Sequence, residues 1–394
     1  MLRKKESALV SRIYCVRCLI PAERPDTFFD ETGLCNACQA FDARSLIDWD
    51  ARAGDFRKVV LEARREAADR GAAYDCVVPV SGGKDSHAQV LAALEWGLRV
   101  LAVTAETDHL SAIGRRNLDN ISKLGCDHIE VKTNPVIRRK INRFTLETIG
   151  DISWAEHITI FSIPVRIASM MKIPLIIWGE NSQNEYGGPS QAQSATTLTQ
   201  DWLNEFGGLN GLRVADVEDT LGPIGELYHY PDLSNDPPQG IFLGQFFPWS
   251  GLENARVAMN HGFEIFTEII DGQKTTKMVE GSYGSYENLD NLQTGPGHDY
   301  LRWLKFGYGR ATDILSNHIR RGKISRKDAI PIAQERDGMF PETYLDVPLR
   351  EILAPLEMSV MEFLEVCDTF TNRDLFAGSH VNGDIRPLFR IDEV

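Results

Sequence analysis

Long apolar runs are missing from this 394-residue chain, so no helical membrane span is expected. The first residues, Met1-Leu2-Arg3-Lys4-Lys5-Glu6, lead into no signal-peptide core, which makes the cytoplasm the expected compartment. Basic charge is in short supply: 42 Lys and Arg face 56 Asp and Glu, a net charge of −14. That balance argues against a protein dominated by nucleic-acid backbone contacts, which carries a basic footprint. Internal repeats and low-complexity tails are absent as well. Hydrophobic content of 43% and charged content of 25% are those of a folded globular chain long enough for two or three domains.

Cysteine is also scarce, with seven in all, but four of them are placed with a pattern. Cys15-x2-Cys18 and Cys35-x2-Cys38 present two pairs of thiols separated by sixteen residues. This spacing suits a four-thiolate Zn²⁺ site, closed and therefore structural. Two disulfides would be the other outcome, and a reducing cytosol disfavours them. Residues 1–48 hold too few apolar side chains for a core and read as a zinc ribbon that folds around its metal. Cys76, Cys126 and Cys367 read as packed thiols.

Beyond the ribbon, one helix is expected from Asp48 to Gly71, with Phe56, Val59, Val60 and Leu61 inward. Strands at Val77–Val80, Arg99–Thr104, Ile129–Val131, Pro174–Trp178 and Ile241–Leu243 alternate with helical stretches at 114–124 and 154–171. Such alternation predicts an α/β fold, a parallel sheet wrapped by helices. The expected domains are the ribbon at 1–48, a nucleotide-binding α/β domain at 49–250, and a mostly helical substrate or partner region at 251–394. Residues 187–200 and 222–240 read as long loops.

Ligands of parallel sheets bind at the carboxyl ends of the strands. Three segments fall there: Ser81–Ser86, Thr104–Asp108 and Gly179–Glu185. The first, Ser81-Gly82-Gly83-Lys84-Asp85-Ser86, joins a buried strand to a helix and builds an anion site from backbone N–H groups and the helix dipole. A Walker A loop is excluded, because it needs glycine at Val78 and Ser or Thr at Asp85. Between Arg302 and Lys327 eight cations face only Asp313. Arg310, after two glycines and two aromatics, reads as a substrate contact there; Arg326 and Lys327 read as a solvated face, as does Arg138-Arg139-Lys140. His87, one turn into the helix, reads as structural.

The Ser81–Ser86 loop resembles the PP-loop of ATP pyrophosphatases, a HUP-like fold that cleaves ATP between its α and β phosphates. Taken with Cys15–Cys18, Gly33–Cys38, Trp178–Asn181, Glu185–Gly188, Phe247–Trp249, Lys305–Asp313 and Ile319-Arg320, the chain from residue 14 to about 338 resembles the N-acetyl sugar amidotransferases of bacterial surface-polysaccharide pathways. The resemblance implies an AMP-forming ligase that turns a sugar acetamido group into an acetamidino group on a nucleotide-linked sugar, such as a UDP-diacetamido uronic acid. It implies ATP, Mg²⁺ and Zn²⁺ as cofactors. Ser81, Gly82, Gly83, Lys84 and Ser86 would hold the pyrophosphate, with Lys84 and Asp85 catalytic, Asp85 as a Mg²⁺ ligand or loop orienter. Thr104, Glu106, Asp108, Gly179 and Glu180 would complete the nucleotide site, Glu180 with a catalytic part. Asn181, Glu185, Tyr186, Arg310 and Arg320 would contact the sugar nucleotide. No Gly-x-Cys-x-Gly elbow is present and residue 2 is Leu2, so no glutaminase is recognisable. Ammonia is therefore expected from a separate glutaminase subunit with a partner similar to the histidine-pathway cyclase. The alternative is a PP-loop tRNA thiolase, for which Cys126 is the one candidate catalytic thiol between the loop and the C-terminal region.

Overall fold

The computed structural model describes residues 10–181, 185, 187–188, 201, 204, 207–233 and 237–391. Helix α1 (Asn36–Ala43) closes the cysteine-rich segment. Helix α2 (Trp49–Arg70) starts where the Asp48 carboxylate accepts from the Ala51 N–H and stops at Gly71, whose φ of +66° is left-handed. Its buried stripe is Phe56, Val60, Ala63 and Ala67. Leu61 was expected inward and is 59% exposed, because one step past Val60 turns a side chain about 100° around the helix.

The sheet comprises β1 (Cys76–Pro79), β2 (Val100–Ala105), β3 (Asp127–Val131), β4 (Leu175–Trp178) and β5 (Gln239–Phe242), all parallel, in the order β3-β2-β1-β4-β5. Side chains alternate strictly. Val78, Ala102, Leu175 and Ile177 face α2, α3 (Lys84–Glu95) and α4 (Ala112–Ile121). Val77, Leu101, Val103, Ile176 and Trp178 face the opposite layer, where α5 (Pro135–Ile149) packs on α6 (Trp154–Met170). The expected parallel sheet wrapped by helices is therefore present. The strand order reverses between β1 and β4, so the loops following these two strands open a crevice at the switch point.

Of the expected loop at 222–240, the described part is pinned to the sheet layer. Tyr228 is buried and Ser162 Oγ donates to Leu227 O at 2.6 Å. Helix α7 (Val214–Leu221) precedes it. Most of the expected 187–200 loop lies outside the described residues. Helix α8 (Gly251–Met259) packs against α3. The chain then forms a hairpin of β6 (Thr267–Ile270) and β7 (Gln273–Thr276), followed by α9 (Leu301–Phe306), α10 (Arg310–Arg320), α11 (Arg326–Arg336), α12 (Leu349–Leu353) and α13 (Val360–Phe370). Among the described residues no helix is long and apolar enough to cross a membrane.

Candidate active site

Gly82 has φ +86°, and a Cβ there would lie 2.8 Å from Leu118 N. The first position of the turn therefore needs glycine twice over. Gly83 differs: its φ is −69°, and it serves as the N-cap of α3. The Ser86 hydroxyl accepts from Ser81 N at 3.0 Å, closing the loop on itself. His87 Nδ1 lies 2.9 Å from Gly83 O and its Nε2 3.2 Å from Asn120, so this buried ring braces the loop, as its position in the helix suggested.

Lys84 and Asp85 open α3 and line a cleft at the switch point. Lys84 Nζ lies 2.6 Å from Asp85 and 3.1 Å from Glu287, above the Tyr286 ring. Asp85 also accepts from Asn254, in the first turns of α8, at 2.7 Å. Ser250 and Gly251, at the start of α8, line the same cleft. Two helix N-termini thus converge where Lys84 sits, and their dipoles favour a polyanion.

From β4, Glu180 and Glu185 enter the same cleft. Burial first, and then the charge of Asp85, push the Glu180 carboxyl up to about 8. Gly179 has no room for a side chain, since a Cβ would meet Gln89 Nε2 at 2.4 Å and Trp249 at 3.1 Å. Asn181 is buried. Tyr186 lies outside the described residues. Glu185 is held by two guanidiniums, pairing with Arg44 and, at 2.9 Å, with Arg321.

The segment between β2 and α4 is placed differently from the expectation. Thr104 is buried; its hydroxyl donates to Val80 O and lies 2.8 Å from His128 Nε2, so it ties strands together. Glu106 pairs with Lys132 at 2.6 Å. Asp108 is buried against Arg138 at 2.5 Å. Glu106 and Asp108 line a separate cavity of about 250 Å³ on the β3 side. Arg138 is consequently buried, and the expected solvated face starts only at Arg139.

The basic stretch is corrected more strongly. Arg310 does not line the cleft; it pairs with Asp299 at 2.9 Å. Arg302 is spent on Asp313 at 3.0 Å. Arg320 is buried, with Cys18, Cys38 and Cys35 among its electrostatic neighbours. Arg326 donates to Cys18 O at 3.3 Å and is a ribbon contact, not part of a solvated face. Asn317, His318, Arg321 and Lys323 reach the cleft instead. Missed too were Tyr286, Glu287 and Asp290, from within the region expected to be mostly helical. Ser111 N donates to Asp290 O at 2.8 Å. Burial, then Glu156, push the Asp290 carboxyl up to about 6. A run of Tyr, Glu and Asp next to glycines was the one available signal.

Cys15, Cys18, Cys35 and Cys38 are fully buried, and their sulfurs all lie within 4.8 Å of one another. Cys15 and Cys38 are 3.8 Å apart, Cys18 and Cys35 3.6 Å. A tetrahedron with Zn–S bonds of about 2.3 Å has edges of about 3.8 Å. The four thiols therefore fit Zn²⁺. Among the described residues this is the one cluster of three or more ligating side chains. The cleft carboxylates form no cage of their own. Mg²⁺ needs none, since one or two carboxylates with waters and phosphate oxygens complete its shell, and Asp85 and Glu180 suit that task. Cys126 immediately precedes β3, at the amino edge of the sheet and away from the loop; burial pushes its thiol up to about 11.

Comparison with known proteins adds one family. Residues 280–386 match the model for the C-terminal domain of WbpG-like LPS biosynthesis proteins. That span includes Tyr286, Glu287, Asp290, Asn317 and Arg321. No curated protein matches the chain. Among solved structures, the chain is similar to NMN synthetase from Francisella tularensis, with 17% identity, a TM-score of 0.27, and coverage of 36% of this chain and 58% of that one. Less than two thirds of that structure's length is spanned.

Proposed function

We propose that the chain is an ATP-dependent amidotransferase of surface-glycan biosynthesis that replaces the acetamido oxygen of a nucleotide-linked N-acetyl sugar with nitrogen. One observation carries this reading: a segment with a lipopolysaccharide-biosynthesis match lays Tyr286 and Glu287 over Lys84, at a loop built for a polyphosphate. An amide oxygen leaves badly. Its attack on the α-phosphorus of ATP breaks the α–β bond, expels pyrophosphate and creates an imidate with AMP as leaving group. Ammonia then adds to the imidate carbon, the C–O bond breaks, AMP departs with the former amide oxygen, and an amidine remains.

In this reading the N–H groups of the Ser81–Ser86 loop and Lys84 hold the pyrophosphate and offset charge as the bond breaks. Asp85 and Glu180 would hold Mg²⁺, which would offset phosphate charge. Asn317, His318 and Lys323 form the wall facing the sugar nucleotide. The site is too short of free thiols for sulfur transfer to compete. Ammonia is proposed to come from a separate glutaminase with a cyclase-like partner.

The test is incubation with ATP, Mg²⁺, ammonium and candidate nucleotide sugars whose acetamido oxygen carries oxygen-18. The expected products are pyrophosphate, an amidino sugar and AMP bearing the label. ADP and orthophosphate as the only spent nucleotides would end the proposal.

A further inference from the structure

Arg320 and Arg321 end α10 side by side and serve different partners. Arg320 is 7% exposed, and its Nε and Nη2 find no hydrogen-bond partner among protein atoms. Its electrostatic neighbours are Cys18, Cys38, Cys35 and Glu185. Four thiolates around one Zn²⁺ carry a net double negative charge. A buried guanidinium in their field balances part of that charge.

Arg321 faces the cleft. It donates to Glu185 at 2.9 Å and to Trp249 O at 3.0 Å, with its guanidinium over Phe41 of α1. One acceptor joins the two arginines: Asn317 Oδ1 takes a bond of 3.1 Å from each. The ribbon also grips the Glu185 segment directly. Arg44, just after α1, pairs with Glu185. Asn36 donates to Gly188 O at 3.0 Å and Arg24 to Gly187 O at 3.3 Å. Gly187 sits so close that a Cβ would lie 3.1 Å from Ala37 Cβ.

We propose that the four-cysteine centre is a positioning device for the cleft, acting through Arg320, Asn317, Arg321 and Arg44 on Glu185. The metal stays remote from the reacting atoms, yet its presence fixes the wall opposite Lys84 and Asp85. This rests on the cleft being the reaction site, but the decisive measurement needs no turnover.

Hydrogen exchange is compared between metal-loaded protein and protein stripped by a chelator, followed over peptides spanning 181–188, 314–321 and, as a control, 100–105. Metal removal is expected to speed exchange at 185–188 and 317–321 by at least about tenfold and to leave 100–105 unchanged. Unchanged protection at 185–188 would overturn the proposal. Arg320→Met is expected to keep one equivalent of zinc by thiol titration and still loosen 185–188, with Arg320→Lys restoring protection. Zinc retained with full protection in Arg320→Met would also overturn it. Should that variant not fold, Arg44→Gln, whose side chain is 19% exposed, is expected to loosen the same peptide, and full protection there counts against the proposal.

Discussion

In the sheet layer, Val77, Val78, Leu101, Val103, Ile176 and Ile177 are each at most 1% exposed. In the ribbon, the corresponding buried set is Cys15, Cys18, Cys35 and Cys38, with Ile20 and Ala37 beside them and Phe29 and Leu34 partly buried against them. Burying a branched aliphatic side chain is worth about 1.5–3 kcal/mol, so the six sheet residues alone contribute on the order of 10 kcal/mol before chain entropy. The ribbon has no comparable term, and a structural Zn²⁺ held by its four thiols would contribute about 10–16 kcal/mol in its place. Both regions bear on the same cleft, the sheet layer by opening it and the ribbon through its grip on the Glu185 segment, one held by apolar packing and the other by its four thiols. A reagent that acts on only one of them should separate their contributions.

Metal removal is the largest such break. A chelator strong enough to compete for four thiolates, or Cys38→Ala, is expected to render residues 15–44 susceptible to protease while the far-UV signal of the sheet layer is kept. A ribbon that stays resistant to cleavage without metal would mean that it folds by packing after all.

Next in size is Lys84→Met, which leaves the packing of both regions in place and removes the charge between Asp85 and Glu287. AMP formation is expected to fall by at least about 10²-fold, the scale for losing one group that stabilises developing charge. The unfolding midpoint should move by only a few degrees. Turnover within threefold of the parent would remove Lys84 from the chemistry.

The same contrast explains what could be read from the sequence. The strands, the helix from Asp48 to Gly71 and the Ser81–Ser86 turn were legible because each rests on a local rule: a short apolar run, an Asp cap with a terminal glycine, and a glycine turn before a helix. The cysteine spacing was legible because ligand geometry is repeated in the spacing itself. Arg310 and Arg320 were misplaced because a positive run says nothing about which carboxylate or thiolate, from Asp299 to Cys18, will neutralise each member. Tyr286 and Glu287 were missed because their role depends on a contact across some two hundred residues of chain with Lys84. Thr104 sat at the right edge of the sheet but pointed into it.

Within the loop, alanine at Gly82 and at Gly83 should part company. Gly82→Ala forces a positive φ and a backbone clash at Leu118, costing about 1–3 kcal/mol in urea unfolding. Gly83→Ala has ordinary dihedrals, and its nearest new contact is Ser81 Oγ at 3.4 Å. It is expected to cost under about 1 kcal/mol. Equal costs would show that the turn is not strained where its geometry says it is.

The smallest effect lies in the C-terminal region, which borrows from both strategies by packing Phe363, Cys367 and Phe376 while pinning its last loop with one carboxylate. Burial opposes the charge on Asp368, but the Ser379 hydroxyl, the His380 N–H at 2.7 Å, His380 Nδ1 and the Val381 N–H outweigh it and hold the carboxyl down at about 2. The ordinary value is 3.8. A depressed carboxylate contributes stability that is complete above its unfolded value and disappears as pH falls through its folded one. The parent should therefore lose about 2 kcal/mol between pH 4 and pH 2 that Asp368→Asn, already deprived of it, does not lose. The quantity to measure is the difference between the two proteins in urea midpoint across that window, since other carboxylates titrate equally in both. Parallel pH profiles would mean that these four donors hold the loop no better in the folded chain than water does in the unfolded one.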